Sequence, residues 1–353
     1  MFYKTITNIQ IETSSMCNAA CPQCLREWWD GDYSRIKQTY IPTEFYETRI
    51  PQHVYDQLER INFCGTVGDP GTAPNFIDVC RVVKNKNSNI EVSVATNGGM
   101  RNPAWWAELA TVLTGAGDHV IFGIDGLEDT NDIYRVNVRW NKLIENAKAF
   151  INAGGKAHWQ FISFAHNEHQ VTAAEQLSKE LGFVNFFTIP NNRFVVEELC
   201  QKVSVGKNGV PLLPPKKEQE VSILLRRENP MTTDPTTWMA QAEKECIKCQ
   251  ALETNEAYID AETHFLPCCY LAGAKFTLDP TDPDGYYNLW TNYGGDKIKL
   301  DRNEWNDVAS GVFFQELTKS WDKKFVEGRL IVCSGVCSSK EVQFSVYRNT
   351  DDE

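Results

Sequence analysis

The stretch CNAACPQC, residues 17–24, carries three cysteines in the spacing C-x3-C-x2-C. Three thiolates on one short loop can hold three irons of a 4Fe–4S cube and leave the fourth iron open to a substrate or cofactor. A zinc site usually closes with four ligands, and the nearest histidine, His53, lies far along the chain. The spacing therefore favours an iron–sulfur site, with zinc or a chance grouping of cysteines as the alternatives.

The loop follows a predicted strand, and from there to about residue 190 predicted strands alternate with predicted helices. Short apolar runs ended by turn residues predict six strands, at 5–12, 61–65, 91–96, 119–124, 157–164 and 184–189. Helical spacing of apolar residues and helix start and stop signals predict helices at 43–58, 75–86, 103–113, 143–153 and 168–181. This alternation is typical of a parallel α/β sheet.

Cysteines in this spacing, directly after the first strand of a βα repeat, resemble the radical S-adenosylmethionine (radical SAM) superfamily. The stretch GTVGDP, residues 65–70, follows the second strand and is similar to the family's Gly-Gly-Glu-Pro-type motif, with Asp69 in place of the usual Glu. The stretch TNG, residues 96–98, ends the third strand, and Asp125-Gly126 ends the fourth, as in many members. The resemblance implies a partial (β/α)6 TIM barrel, whose strand number equals the six predicted here.

The resemblance also implies a chemistry. Cys17, Cys21 and Cys24 would hold a 4Fe–4S cluster whose open iron is chelated by SAM. An electron from the cluster cleaves SAM, and the 5′-deoxyadenosyl radical abstracts a hydrogen atom from a substrate. The residues expected to bind this cofactor are Gly65, Gly68, Asp69, Pro70, Asn97 and Asp125. The chain departs from the family at Gln23, where an apolar residue usually lies near the adenine.

Six further cysteines follow position 245: Cys246, Cys249, Cys268, Cys269, Cys333 and Cys337. Their spacing alone fits a closed zinc site as well as an iron–sulfur cluster. The group resembles SPASM and twitch extensions, which implies a second 4Fe–4S cluster on Cys249, Cys268, Cys333 and Cys337, with Cys246 and Cys269 as alternates. Successive residues of a strand face opposite sides, so we expect Cys268 and Cys269 not to share one cube.

The sequence divides into three parts. Residues 1–190 form the predicted partial barrel, 191–242 a proline-rich linker or bridging segment with a helix candidate at 216–227, and 243–353 a small cysteine-rich twitch/SPASM-like domain. The substrate is expected to be a peptide, as for many relatives with such extensions, or a small molecule that is dehydrogenated or epimerised. An electron donor such as flavodoxin or ferredoxin is implied as a partner, and a non-catalytic iron–sulfur or zinc protein is the alternative from another class.

The chain has 353 residues, with 35 Lys and Arg against 47 Asp and Glu, which gives a formal net charge of −12. A field of this sign repels polyanions, so general binding to nucleic acid or to an anionic membrane is not expected. No apolar run approaches the ~20 residues of a membrane span, and residues 1–10 lack the pattern of a signal peptide. We therefore expect a cytoplasmic protein, in which twelve cysteines indicate metal binding rather than disulfides.

Overall fold

The computed structural model describes residues 3, 5–28, 32–189, 191, 193–194, 203–216, 235–278 and 285–338. The helix predicted at 216–227 lies outside the described residues beyond Lys216, and so does Cys200.

Eight strands form one open sheet in the order β6-β5-β4-β3-β2-β1-β7-β8. The strands are β1 Asn8–Ile11, β2 Arg60–Phe63, β3 Glu91–Thr96, β4 His119–Gly123, β5 Ala157–Ile162, β6 Asn185–Ile189, β7 Glu256–Ile259 and β8 Phe265–Leu266. All neighbours pair in parallel except β7 and β8, which form an antiparallel hairpin. The six predicted strands and the partial, unclosed barrel are thus confirmed.

Helices connect the parallel strands and cover the sheet. They are α1 Thr43–Thr48, α2 Gln52–Gln57, α3 Phe76–Lys86, α4 Pro103–Val112, α5 Asn131–Tyr134, α6 Trp140–Asn152, α7 Val171–Leu181, α8 Pro235–Ala242, α9 Gln250–Glu253, α10 Cys269–Ala274, α11 Tyr286–Tyr293, α12 Trp305–Ala309, α13 Val312–Ser320 and α14 Ile331–Cys337. The single helix predicted at 43–58 is two helices, because Pro51 disfavours the helical conformation in the residue before it and caps α2 instead.

The C-terminal part of the chain completes the sheet of the N-terminal part. Strand β7 pairs in parallel with β1, so that Gln10 lies opposite Tyr258. Ala257, Tyr258 and Ile259 are fully buried there and belong to the same hydrophobic core as the first six strands. The first strand is therefore internal, flanked by β2 on one side and β7 on the other.

Part of the predicted bridging segment packs on the barrel beside the carboxyl ends of the strands. The Ala165 amide donates to the Leu213 carbonyl at 2.9 Å, and the Ser204 hydroxyl donates to the Pro22 carbonyl at 3.2 Å. Parallel α/β folds place their ligands at this edge of the sheet. The bridging segment therefore borders the region where a substrate is expected.

Candidate functional site

The three-cysteine loop leaves β1 and turns tightly at the carboxyl edge of the sheet. The Cys24 amide donates to the Cys21 carbonyl at 2.8 Å, and the Glu27 amide donates to the Cys24 carbonyl at 2.9 Å. The Ala20 amide donates to the Val136 carbonyl at 3.0 Å, which fixes the loop to the end of the fourth βα unit. These bonds hold all three thiols on the same side of the barrel mouth.

Cys21 is buried, Cys17 and Cys24 are partly buried, and the three thiols lie close enough to influence one another electrostatically. Burial raises the pKa of Cys21 to about 12 and raises those of Cys17 and Cys24. The Cys17 sulfur nevertheless accepts from the Ala19 amide at 3.4 Å and from Asn97 Nδ2 at 3.5 Å. Donors aimed at a sulfur suit a thiolate, so this set of residues fits a cluster held by the three cysteines.

Asp69 ties the loop after β2 to the loop after β3. Its carboxylate accepts from the Gly71 amide and the Asn97 amide, each at 2.8 Å, and from the Thr96 hydroxyl at 3.0 Å. Burial raises the pKa of Asp69, although the Asn97 and Gly71 amides oppose that rise. The side chain is thus fully engaged in shaping the two loops, and Pro70 starts a short, buried 3-10 turn directly after it.

Two glycines of the same loop lie where backbone segments meet. A Cβ at Gly65 would stand 2.1 Å from the Gly68 carbonyl oxygen, and one at Gly68 would stand 1.7 Å from the Ser14 carbonyl oxygen. No larger residue fits either position, because the obstacle is backbone that cannot rotate away. The loop therefore brings its backbone groups directly against the start of the cysteine loop.

Asn97 links the loop after β3 to the cysteine loop. Its Nδ2 donates to Asn18 Oδ1 at 3.0 Å as well as to the Cys17 sulfur, while its Oδ1 accepts from the Gly99 amide at 2.8 Å. Gly98 follows with φ of +66°, in the left-handed region that glycine tolerates. The predicted Thr-Asn-Gly motif therefore joins the loop after β3 to the cysteine loop.

Asp125 is fully buried at the end of β4. It is paired with Arg135, a residue that the sequence patterns did not single out. Its Oδ2 accepts from Arg135 Nε at 2.6 Å, and its Oδ1 accepts from the Ile162 amide at 2.7 Å. Its own amide and carbonyl bond the side chains of Asn131 and Asn167, at 2.9 Å each. Both carboxylate oxygens are therefore engaged within the protein.

Glu12 is a second buried charged residue that sequence reasoning missed. Its Oε1 accepts from the Val67 and Gly68 amides at 2.8 and 2.9 Å, inside the stretch that resembles the family's glycine motif. Burial raises the pKa of Glu12 to about 7, although the hydrogen bond from the Val67 amide acts to lower it. The Tyr258 hydroxyl lies 2.7 Å from the Thr66 hydroxyl and donates to Glu12 Oε2 at 3.4 Å. The C-terminal strand β7 thus reaches the same loop.

Gln23 is buried in the cysteine loop, and its Oε1 accepts from Asn191 Nδ2 at 2.6 Å. A polar side chain at this position therefore has a partner from the end of the barrel. Gln23, the residue that departs from the family pattern, thus contacts the segment that follows β6.

The C-terminal thiols come from separate elements. Cys249 caps α9, Cys268 precedes α10, and Cys333 and Cys337 lie in α14. Cys249 and Cys337 are neighbouring thiols, and the proximity of Cys249 lowers the pKa of Cys337. Burial raises the pKa of Cys268, and the nearby thiols of Cys333 and Cys337 add to that rise. The four cysteines that the resemblance implies as ligands therefore lie together, and their role as ligands stays a prediction.

The two alternates lie differently. Cys246 is exposed, whereas Cys269 is partly buried and lies near Glu256 and Cys64. The expectation that Cys268 and Cys269 face opposite sides of a strand was wrong, because β8 ends at Leu266 and Cys269 is the first residue of α10. Cys268 and Cys269 lie near each other, and Cys268 also lies near Cys333 and Cys337.

Within the described ranges, no three His, Cys, Asp or Glu side chains converge closely enough to hold a single metal ion. A cube differs from a single ion because each of its thiolates binds a different iron.

Residues 11–172 match the sequence profile of the radical SAM superfamily. The chain carries a radical SAM domain. The match begins within β1 and ends at the start of α7, so it contains the cysteine loop and the loops after β2, β3 and β4. The radical SAM superfamily is a family of enzymes, and it implies a 4Fe–4S cluster and SAM as the cofactors of this domain.

A curated relative resembles part of the chain. The tungsten-containing aldehyde ferredoxin oxidoreductase cofactor-modifying protein of Pyrococcus furiosus is 25% identical over 125 residues, which is 35% of this chain and 32% of the relative. The matched stretch therefore spans about a third of that relative's length.

Solved radical SAM structures resemble nearly the whole chain in fold. SuiB of Streptococcus suis, bound to its precursor peptide SuiA, superposes with a TM-score of 0.55 at 13% identity, over 94% of this chain and 72% of SuiB. The enzyme anSMEcpe with bound AdoMet superposes with a TM-score of 0.54 at 15% identity, over 95% of this chain and 87% of its own. At such identities the likeness establishes the fold. Among the described residues, no helix has the length and apolar character needed to cross a membrane.

Proposed function

We propose that Cys17, Cys21 and Cys24 hold the 4Fe–4S cluster of this enzyme and that SAM binds beside it. The observation that carries the proposal is the group of buried and partly buried thiols, with N–H donors aimed at the Cys17 sulfur, at the carboxyl edge of the sheet. When bound, the cluster supplies the electron that cleaves SAM to a 5′-deoxyadenosyl radical, which takes a hydrogen atom from the substrate.

The loops after the strands shape the place for SAM. Gly65 and Gly68 permit the close backbone approach, and Asp69 and Pro70 fix the loop that bears them. Asn97 joins this loop to the cysteine loop, so a ligand that contacts one is positioned relative to the other. Gly65, Gly68, Asp69, Pro70, Asn97 and Asp125 are therefore proposed as the residues that bind SAM or support its binding.

We infer a second 4Fe–4S cluster on Cys249, Cys268, Cys333 and Cys337. Its support is the mutual proximity of these thiols. Four protein thiolates would leave no iron open to a ligand, which favours electron transfer over substrate binding. The domain limits 1–190, 191–242 and 243–353 are kept as a proposal, with β7 joining the third part to the sheet of the first.

A peptide is the proposed substrate class, since the similar fold of SuiB binds a precursor peptide. A small molecule that is dehydrogenated or epimerised is the second candidate. An external donor such as flavodoxin or ferredoxin would supply the electron. The net charge of −12 opposes binding to nucleic acid under either proposal.

Anaerobic reconstitution with iron and sulfide tests the first proposal. We expect about eight irons per chain from two cubes, and 5′-deoxyadenosine when SAM and a reductant are added. About four irons with stoichiometric zinc would refute the second cluster alone. Reconstituted protein that yields no 5′-deoxyadenosine would refute the assignment of the cysteine loop.

A further inference from the structure

The loop after β2 is anchored by a buried carboxylate. Glu12, directly after β1, is 2% exposed, and its Oε1 accepts from the Val67 amide at 2.8 Å and from the Gly68 amide at 2.9 Å. In a trans peptide unit the carbonyl points away from the N–H. The Thr66 and Val67 carbonyls therefore face away from Glu12, which fixes the orientation of two successive peptide units of the loop.

The C-terminal part of the chain supplies a second anchor for this loop. The Tyr258 hydroxyl, on β7, lies 2.7 Å from the Thr66 hydroxyl and donates to Glu12 Oε2 at 3.4 Å. Because a tyrosine hydroxyl has one proton, which here goes to Glu12, it accepts the proton of the Thr66 hydroxyl. Tyr258 is fully buried, which shields its hydroxyl from competing water.

Helix α10, also from the C-terminal part, lies against the same loop. A Cβ at Gly273 would stand 3.3 Å from Leu25 Cδ2 and 3.5 Å from Thr66 Cγ2. Leu25 begins the 3-10 turn that follows the cysteine loop, and α10 starts directly after Cys268. The helix next to a proposed ligand of the second cluster therefore packs between the loop after β2 and the turn after the cysteine loop.

On the basis of the SAM site proposed above, we propose that Tyr258 is a positioning residue for SAM. Its hydroxyl is engaged by Thr66 and Glu12, so it acts through the loop at residues 65–68 and holds this loop in the conformation that SAM binds. Strand β7 lies in the C-terminal part and pairs with β1. The C-terminal part thus completes the SAM site in addition to carrying the second group of cysteines.

Equilibrium dialysis of SAM against the anaerobic, reconstituted full-length protein tests this role. Tyr258→Phe keeps the buried ring and removes the hydroxyl. We expect SAM to bind about two- to tenfold more weakly, the change that loss of one hydrogen bond between uncharged groups gives in an equilibrium constant. The iron content should not change. In assays of 5′-deoxyadenosine formation the KM for SAM should rise by the same factor, while the rate at saturating SAM is retained.

Two further variants separate this role from a general loss of stability. The matched control is Tyr55→Phe, because Tyr55 is also fully buried and its hydroxyl donates to the Tyr46 carbonyl at 2.8 Å, a bond outside the loop after β2. It should leave the SAM affinity unchanged. Thr66→Val removes the other hydroxyl of the pair, so its effect and that of Tyr258→Phe should not add in the double variant.

An unchanged SAM affinity in well-folded Tyr258→Phe would overturn the role of Tyr258 and leave the SAM site standing. An equal loss of affinity in Tyr55→Phe, or additive losses in the double variant, would overturn that role as well. Wild-type holoprotein that binds no SAM would overturn the SAM site itself. If Tyr258→Phe does not fold or load iron, Thr66→Val decides by the same criterion.

Discussion

The two cysteine groups of this chain are built in opposite ways. The first places three thiols within eight consecutive residues of one loop, and hydrogen bonds from neighbouring motif loops hold that loop. The second draws its thiols from α9, from the start of α10 and from α14, so it exists only when these elements have packed. A local site is made by chain geometry, whereas a dispersed site couples metal binding to the folding of the region around it.

The largest expected effect comes from breaking the local site. Cys21→Ala removes one of three thiolates, and we expect it to abolish 5′-deoxyadenosine formation and to remove about half the iron, or ~4 atoms of one cube. The protein should stay soluble, because the loop lies at a strand end. Cys80→Ala on α3, a buried thiol away from both groups, is the matched control and should retain the wild-type iron content. Full 5′-deoxyadenosine output from Cys21→Ala would contradict the site.

Breaking the dispersed site should separate SAM cleavage from substrate conversion. Replacing Cys333 and Cys337 with Ala should remove about half the iron and sharply reduce conversion of the true substrate, while uncoupled SAM cleavage survives. The C-terminal region should also unfold more easily, because it loses metal-binding free energy. Cys246→Ala, at an exposed position, should change neither the iron content nor the conversion of the substrate. Loss of all iron from a well-folded double variant would show that the two sites depend on each other.

A smaller effect is expected where the cysteine loop is supported by its neighbours. Asp69→Asn keeps the size of the side chain but replaces one acceptor oxygen with a donor that opposes the Asn97 or Gly71 amide. We expect SAM to bind about tenfold more weakly, which corresponds to ~1.4 kcal/mol, with the iron content unchanged. Equilibrium dialysis with SAM measures the affinity, and the exposed Asp78→Asn serves as the control. Unaltered SAM affinity would show that the link between the loops does not shape the SAM site.

The last effect is on the stability of the fold rather than on the cofactor sites, and it concerns the contact between the two regions at Glu12. Because burial raises the pKa of this carboxyl from 4.5 to about 7, the native state holds its proton more tightly than the unfolded chain. The resulting stability is present below pH 4.5 and is lost as the pH rises through about 7. Glu12→Gln mimics the protonated form, so the variant should match the wild type near pH 5 and exceed it by ~1–3 kcal/mol at pH 8.

Denaturant unfolding of both proteins at several pH values, under anaerobic conditions, measures this difference. Glu47→Gln removes an exposed carboxylate from α1 and controls for the change in net charge. A constant difference between Glu12→Gln and the wild type across this pH range would contradict a raised pKa at Glu12.

The motif residues could be predicted because their signals are local. Turn residues follow short apolar strands at Asn97 and Asp125, and the carboxyl ends of parallel strands meet at one edge, so their order in the sequence predicts their nearness in space. The cysteine loop is the strongest such signal, since its spacing alone restricts the chemistry. The structure therefore has these motif residues at the strand ends where the sequence predicts them.

The remaining features depend on contacts between distant segments. Arg135 has no motif spacing, and its pairing with Asp125 arises only when the turn through α5 folds back onto β4. Strand β7 has four residues, and its local pattern does not show that it pairs with β1 as well as with β8. Glu12 lies at the end of a predicted strand, where its burial follows from the loop after β2 and from Tyr258.

The position of β7 beside β1 has a consequence for biosynthesis. About 250 residues separate the two strands in the chain, and at roughly 5–20 residues per second a ribosome needs about 12–50 s to produce that length. During this interval β1 lacks one of its two neighbours, and an open strand edge is a template for wrong pairing with other chains. Nascent chains that stop before residue 256 should therefore aggregate or be held by chaperones, and a shortened gene ending at residue 190 should yield less soluble protein than the full one.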